Sequence, residues 1–185
     1  MSGLTGDPSA ITPSIAPEPL RRGNLFLVGL PGAGKSTLGR QLARRLHKRF
    51  VDTDAVLEAR LGVSIPTIFE IEGEASFRDR EQGVLTELAA AENIVLSTGG
   101  GVVVRAHNRE LLQRNGTVMY LHATPRALWE RVRHARHRPL LQTGDPLARL
   151  TELYAERDPL YRQIADHVVA SDRGEVMRFA RVFAG

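Results

Sequence analysis

Eight residues near the start of the chain combine glycines with a lysine and a serine at the spacing that binds nucleotide phosphates. Residues 29–36 read GLPGAGKS, which fits G-x-x-x-x-G-K-[ST] at every fixed position. The glycines let backbone N–H groups surround phosphate oxygens, while Lys35 would reach the β- and γ-phosphates and Ser36 would ligate Mg²⁺. The motif predicts a nucleoside triphosphate site, a feature that GTPases, ATPase motors and small-molecule kinases share.

Two carboxylates follow the second predicted strand, at Asp52 and Asp54. Ligands of parallel α/β sheets collect at the carboxyl ends of strands, so both side chains are expected near residues 29–36. One could hold Mg²⁺ or its waters, and the other could orient or deprotonate an attacking hydroxyl. The pattern is equally typical of an acidic helix start, because the helix dipole favours aspartate there.

An arginine sits between two glutamates on one face of a predicted helix. Arg78 lies four residues after Glu74 and three before Glu81, so both carboxylates can reach it. This spacing is typical of an ion-pair row on a solvated surface. It also suits an arginine that Glu81 holds toward an anionic substrate.

Three consecutive glycines, Gly99, Gly100 and Gly101, follow the third predicted strand. One glycine is enough for a turn, so three indicate that something approaches the backbone closely. The strand does not end in an acidic residue, which leaves Asp52 as the expected carboxylate on the metal side.

A basic loop is predicted over residues 137–146, with Arg136 and Arg138 at its base. In a kinase such a loop could close over the nucleotide, exclude water and bring an arginine to the developing charge. The alternative is a basic surface loop. His134 and His137 have a spacing that could chelate a metal, but no third ligand is evident, so we expect no metal site there.

A parallel sheet is needed to bring these residues together, and the alternation of apolar segments predicts one. Short apolar runs indicate strands at 25–28, 50–51, 93–97, 117–121 and 167–170. Helical spacing occupies 36–48, 54–61, 64–69, 74–91, 106–114, 125–133, 146–156 and 159–165, and a last helix carries Val176, Phe179, Ala180 and Phe183. The pattern predicts an α/β fold with helices on both faces of the sheet.

Composition limits the remaining possibilities. The 185 residues suit one domain, which we place at 23–185 after a Pro-rich tail at 1–22 that we expect to be disordered. The net charge is +4 and the pI is about 10.1, but the arginines are scattered, so no nucleic-acid partner is expected. The chain has no cysteine and no apolar run long enough to span a membrane. We expect a cytoplasmic monomer.

The chain resembles bacterial shikimate kinases, of the proteobacterial type, over about residues 24–182. Six motifs occur in order: GLPGAGKST, VDTD, FRDRE, STGGG, RPLL and RDPLYR. The first is generic, whereas the other five together are highly specific. The resemblance implies a P-loop three-layer α/β/α fold of the nucleoside-monophosphate-kinase type, with a central five-stranded parallel sheet and a mobile lid over about 134–147. It also implies ATP-dependent phosphorylation of the shikimate 3-hydroxyl, on the route to chorismate and aromatic amino acids.

The resemblance further implies a role for particular residues. Ser36 and Asp52 would hold one Mg²⁺, Lys35, Asp54 and Arg138 would be catalytic, and Arg131 would lie on the adenine side. The residues that would bind shikimate are Asp54, Arg78, Gly100 and Arg157. Those that would bind ATP are Gly32, Ala33, Gly34, Lys35, Ser36, Thr37, Arg138 and Arg173.

Two other functions fit parts of the sequence. A related small-molecule kinase, such as a gluconate kinase, would share residues 29–36, but the paired arginines, the DTD and the GGG argue against it. A non-catalytic sensor of a small acid would normally be joined to a DNA-binding segment, and residues 1–22 are too short and Pro-rich for a helix-turn-helix.

Overall fold

A five-stranded parallel sheet forms the centre of the molecule, in a computed structural model that describes residues 20–133 and 144–183. The strands are β1 (Leu25–Val28), β2 (Arg49–Asp52), β3 (Ile94–Ser97), β4 (Thr117–His122) and β5 (His167–Ala170). The helices are α1 (Lys35–Arg45), α2 (Thr53–Leu61), α3 (Ile65–Ala89), α4 (Ala106–Asn115), α5 (Pro125–Val132), α6 (Pro146–Ile164) and α7 (Arg173–Phe183). Short 3-10 helices occupy Arg21–Gly23 and Val102–Val104.

The strand order is β2-β3-β1-β4-β5, so β1 lies in the middle of the sheet. All four residues of β1 are completely buried, which confirms the prediction of a strand covered on both faces. Helices α1 and α7 pack together, while α3 and α6 both contact α4. The predicted three-layer α/β/α fold is confirmed.

The register of the strands decides which residues meet at the carboxyl edge. Asp52 at the end of β2 pairs with Ser97 at the end of β3, and Ser97 pairs with Leu27 of β1. Because parallel strands point the same way, the loops after β1, β2 and β3 all leave from this edge. The phosphate loop, the DTD segment and the glycine run are therefore neighbours.

A buried asparagine joins the loops at the opposite, amino edge. The Asn24 side chain is completely buried and donates to the carbonyls of Ala91 and Asn115, at 2.7 and 3.0 Å. Its oxygen accepts from the Ile94 N–H at 3.1 Å. All the hydrogen-bonding capacity of the amide, except one lone pair, is used within the chain.

The helix boundaries confirm two sequence signals and correct one. Ser64 and Thr124 cap α3 and α5 as expected. Each side chain accepts a hydrogen bond from the N–H three residues further along the chain, that of Thr67 and that of Ala127 respectively. The two helices predicted at 64–69 and 74–91 meet at a kink inside α3, where Gly73 has φ 80°.

The predicted break before Pro159 is wrong, because α6 continues through it. A proline inside a helix removes one hydrogen bond, but packing can hold the axis. Here Leu153, Arg157, Tyr161 and Ile164 are all buried at helical spacing, so the segment after the proline stays in register.

The ordered chain begins before residue 23. Leu20 packs against the core, and the Arg21 N–H donates to the Thr117 hydroxyl at 2.9 Å. The Arg21 guanidinium pairs with Asp166 at 2.5 Å. Residues 20–22, which the sequence analysis assigns to the Pro-rich tail, thus contact the domain, and residues 1–19 lie outside the described part.

No helix in the described part of the chain is both long and apolar enough to cross a membrane. The lid predicted at about 134–147 lies mostly outside the described residues. Of its last residues, Asp145 caps α6 and Pro146 is the first residue of that helix.

Candidate active site

The loop between β1 and α1 has the geometry of a phosphate cradle. Gly34 caps α1 with φ 82°, a left-handed conformation that favours glycine. The loop thereby delivers its N–H groups and the α1 amino terminus to one point. Lys35 is 8% exposed, and its ammonium donates to the carbonyls of Gly29 at 2.7 Å and Leu30 at 3.1 Å.

Ser171, which follows β5 and was not predicted from the sequence, forms a hydrogen bond with the phosphate loop. The Ser171 hydroxyl donates to the Ala33 carbonyl at 2.9 Å and accepts from Arg131 at 2.5 Å. The Ser171 N–H donates to the His122 carbonyl at 2.8 Å. The turn after β5 is thus bonded to the phosphate loop, and the only sequence signal was its place after the last predicted strand.

Asp52 caps a helix and also contacts the phosphate loop. Its Oδ1 caps α2 by accepting from the N–H groups of Asp54 and Ala55, at 3.1 and 3.2 Å. Its Oδ2 accepts from the Ser36 hydroxyl at 2.5 Å, and the Ser97 hydroxyl lies 3.3 Å from that of Ser36. An acidic helix start and a polar contact to the phosphate loop coincide in one side chain.

These oxygens are hard ligands of the kind that Mg²⁺ prefers. The described residues contain no group of three or more His, Cys, Asp or Glu that could hold a metal. Mg²⁺ is usually held by one or two protein ligands together with substrate phosphates. Ser36 and Asp52 fit such a shared site.

Asp54 follows in the first turn of α2 and is an unusual carboxylate. Its Oδ1 is buried without a hydrogen-bond partner within the described residues. Burial, reinforced by the nearby Asp52 charge and opposed by Lys35, raises the pKa of Asp54 to about 6. A carboxylate with that pKa is well suited to accept a proton near neutral pH.

Arg78 and Glu81 form a buried ion pair rather than a solvated row. The Arg78 Nη1 donates to Glu81 Oε2 at 2.7 Å, and its Nη2 reaches Glu74 at 3.3 Å. Glu81 is 1% exposed, and burial raises its pKa even though the Arg78 charge opposes the shift. Arg78 Nε and Glu81 Oε1 have no partner in the described part of the chain.

The glycine run is needed for close packing, as the sequence indicated. A Cβ at Gly99 would lie 2.6 Å from Glu81 Oε1 and 3.1 Å from Asp54 Oδ1. One at Gly100 would lie 2.8 Å from Pro31 Cδ, and one at Gly101 would overlap the Arg78 guanidinium. The groups that approach the backbone are thus the chain's own site residues.

Helix α6 adds a second arginine. Arg157 is 7% exposed, its Nε has no hydrogen-bond partner among the described residues, and its charge acts on Glu81. One turn further on, the Tyr161 hydroxyl donates to the Gly100 carbonyl at 2.5 Å. The sequence had assigned Arg157 to the site but not Tyr161, although both belong to the RDPLYR segment.

Buried polar atoms without partners converge around this glycine run. Four of the six found in the described part of the chain belong to Asp54, Arg78, Glu81 and Arg157. Such atoms are costly unless a ligand satisfies them. Two guanidinium groups and two carboxylates suit a small molecule that carries both an acid group and hydroxyls.

Some predicted residues stand apart from this cluster. Arg173 is exposed and begins α7, two residues after Ser171, while Thr37 is exposed in the first turn of α1. Arg136, Arg138, His134 and His137 lie outside the described residues.

The fold and the site together define a P-loop kinase for a small molecule. The family model for shikimate kinase matches residues 31–183. A shikimate kinase from Cupriavidus pinatubonensis is 56% identical over 161 residues, which cover 87% of this chain and 84% of the relative. The chain belongs to the shikimate kinase family.

Solved structures agree with this assignment. The shikimate kinase from Acinetobacter baumannii in complex with shikimate matches with a TM-score of 0.80 and 43% identity, covering 85% of this chain and 88% of that one. A gluconokinase from Sinorhizobium meliloti matches with a TM-score of 0.56 at 19% identity over 88% of this chain and 90% of that one, which is a likeness of fold alone.

Proposed function

We propose that the chain transfers the γ-phosphoryl group of ATP to the 3-hydroxyl of shikimate, giving shikimate 3-phosphate and ADP. One observation carries the proposal beyond family membership: the buried Asp54 carboxylate, whose Oδ1 has no hydrogen-bond partner among the described residues, lies within the influence of the Lys35 charge and shares the surroundings of Gly99 with Glu81, the partner of Arg78. That set supplies a donor site, a proton acceptor and two anion-binding groups. Shikimate presents the complementary carboxylate and hydroxyls.

The donor side is assigned to the loop after β1. Backbone N–H groups of the loop and the α1 amino terminus bind the ATP phosphates, and Lys35 neutralises charge that develops during transfer. The residues assigned to ATP are Gly32, Ala33, Gly34, Lys35, Ser36, Thr37, Arg138 and Arg173. Arg173 is supported by its place beside the Ser171 turn, whereas Arg138 rests on the RPLL motif.

The acceptor side is assigned to Asp54, Arg78, Gly100 and Arg157. The arginines bind the shikimate carboxylate and a hydroxyl, and the Nε–H groups of Arg78 and Arg157 have no hydrogen-bond partner among the described residues. Asp54 accepts a hydrogen bond from the attacking hydroxyl and takes its proton. Phosphoryl transfer depends mainly on positioning and charge, which is what these residues can supply.

Ser36 and Asp52 are assigned to one Mg²⁺ that arrives with ATP. When bound, the ion neutralises phosphate charge and helps to orient the transferred group. The Ser36 hydroxyl and the Asp52 Oδ2, already 2.5 Å apart, provide oxygen ligands for it or for its waters.

The test is ADP formation with Mg²⁺-ATP and either shikimate or gluconate as acceptor. The proposal requires turnover that depends on shikimate and not on gluconate. Turnover with gluconate alone would move the chain to another acceptor, and no turnover with either would remove the catalytic assignment. The monomeric state and cytoplasmic location, proposed from the sequence, are tested by light scattering and by cell fractionation.

A further inference from the structure

We propose that Tyr161 is a positioning residue for the acceptor site, holding the Gly100–Gly101 peptide in place and joining it to the helix that carries Arg157. The inference rests on the proposed function. Tyr161 is completely buried, and its hydroxyl donates to the Gly100 carbonyl at 2.5 Å. This bond joins the loop after β3 to α6, which are 61 residues apart in sequence.

The ring of Tyr161 is itself held from the side. It packs against the Tyr120 ring with centroids 4.8 Å apart. The Tyr120 hydroxyl donates to Asp158 at 2.9 Å, and Asp158 also accepts from Arg162 at 2.8 Å. The packing of the two rings, which Tyr120→Phe would keep, holds the Tyr161 hydroxyl toward Gly100, as a positioning group requires.

The peptide that Tyr161 holds touches both sides of the site. A Cβ at Gly100 would lie 2.8 Å from Pro31 of the phosphate loop, and one at Gly101 would overlap the Arg78 guanidinium. A small shift of this peptide would therefore displace Arg78. Arg157 lies on the same face of α6, four residues before Tyr161. The Tyr161 hydroxyl therefore joins the helix that carries Arg157 to the peptide that packs against Arg78.

The hydroxyl can act only as donor in this bond, because a carbonyl oxygen accepts. Burial raises the pKa of Tyr161, although the charge of Arg157 and a hydrogen-bonding contact with it oppose the shift, so the hydroxyl keeps its proton at neutral pH. Tyr161→Phe removes this donor together with the contact between the hydroxyl and Arg157, and it keeps the ring. It leaves the Gly100 carbonyl without that bond, and the peptide is then free to move.

The experiment compares Tyr161→Phe with Tyr120→Phe, which also loses a buried tyrosine hydroxyl but leaves the Gly100 carbonyl bonded. We expect Tyr161→Phe to raise the shikimate KM about three- to tenfold and to leave the ATP KM within about twofold, as the loss of one hydrogen bond implies. Tyr120→Phe should leave both KM values within about twofold.

Two results would overturn the inference. One is a shikimate KM in Tyr161→Phe that matches the Tyr120→Phe value, and the other is an equal rise of both KM values, which would indicate general loosening. Wild-type turnover with shikimate is measured first, so its absence counts against the proposed function and not against Tyr161.

If Tyr161→Phe is too unstable for kinetics, the rise in Tm on adding shikimate replaces KM. Ligand binding stabilises the folded state by an amount that grows with the logarithm of the ratio of ligand concentration to Kd, so the comparison is made at one shikimate concentration. The inference requires a smaller rise in Tyr161→Phe than in Tyr120→Phe. Equal rises would contradict it.

Discussion

The buried polar groups at the two edges of the central sheet differ in their hydrogen bonding. At the amino edge, the Asn24 amide is bonded to Ala91, Asn115 and Ile94. At the carboxyl edge, four buried polar atoms around the glycine run lack partners in the described part of the chain. The first arrangement stabilises the fold, whereas the second leaves hydrogen-bonding capacity that a ligand can use.

The difference follows from strand direction. Parallel strands place their amino ends together and their carboxyl ends together. The crossover helices carry the chain from the carboxyl edge back to the amino edge. Groups at the carboxyl edge can stay unpaired in the described part of the chain, because functional sites tolerate such local departures from full hydrogen bonding. Substitutions at the two edges should therefore separate activity from stability.

Asp54→Asn should give the largest effect. We expect kcat to fall by about 10²–10⁴-fold, since the variant cannot take a proton. At pH 7 the variant should be at least as stable as the wild type, because a buried carboxylate has been replaced by a neutral amide. Steady-state kinetics and thermal unfolding measure the two effects. A mild loss of kcat would remove Asp54 from the reacting atoms.

The pH dependence provides the control for this assignment. The pKa of Asp54 is raised from 3.8 to about 6, so the folded state binds the proton more tightly than the unfolded state does. The Asp54 contribution to stability is therefore lost as pH rises from about 4 to 6, and Asp54→Asn should lack this loss. Wild-type kcat/KM should fall below about pH 6; a flat profile down to pH 5 would contradict the assignment.

Arg157→Lys should come next. Lysine keeps the charge but loses the planar fork, so we expect the shikimate KM to rise about 10- to 100-fold while the ATP KM changes little. Varying each substrate in turn measures this. A rise in the ATP KM alone would place Arg157 on the nucleotide side.

Asn24→Ala should reverse the pattern of the site variants. Loss of the amide leaves two carbonyls and one N–H without partners, which should cost about 2–4 kcal/mol of unfolding free energy. Below the transition, kcat and both KM values should stay near the wild-type values. Urea unfolding with parallel kinetics checks this, and a specific change in the shikimate KM would mean that the two edges are coupled.

Ser171→Ala should give the smallest effect. It removes the bond to the Ala33 carbonyl, so we expect the ATP KM to rise about two- to fivefold and the shikimate KM to stay unchanged. Ser171→Thr, which keeps a hydroxyl, should restore the ATP KM. Equal effects of the two variants would assign the loss to packing rather than to the bond.

Much of this architecture could be predicted from the sequence because its signals are local. The apolar run before residues 29–36, the caps at Ser64 and Thr124, and the glycine run each depend on neighbours in sequence. The motif order then identified the family. Local patterns also placed Asp52 beside the phosphate loop, since its strand ends there.

The rest could not be predicted because its partners are distant in sequence. Ser171 meets Ala33 across 138 residues, and Tyr161 meets Gly100 across 61. Nothing in the composition of residues 20–22 indicates the contacts that Arg21 makes. The spacing of Arg78 from Glu74 and Glu81 is the same in a surface row of ion pairs and in a buried pair. The sequence therefore could not show that Arg78 is buried.

The most direct test of the contrast between the edges is calorimetric titration of the nucleotide-free protein with shikimate. We expect one site per chain, binding that weakens about tenfold or more in Arg157→Lys, and unchanged affinity in Asn24→Ala. Wild-type affinity in Arg157→Lys, or no binding to the wild-type protein, would contradict the claim that the unpaired groups at the carboxyl edge form the acceptor site.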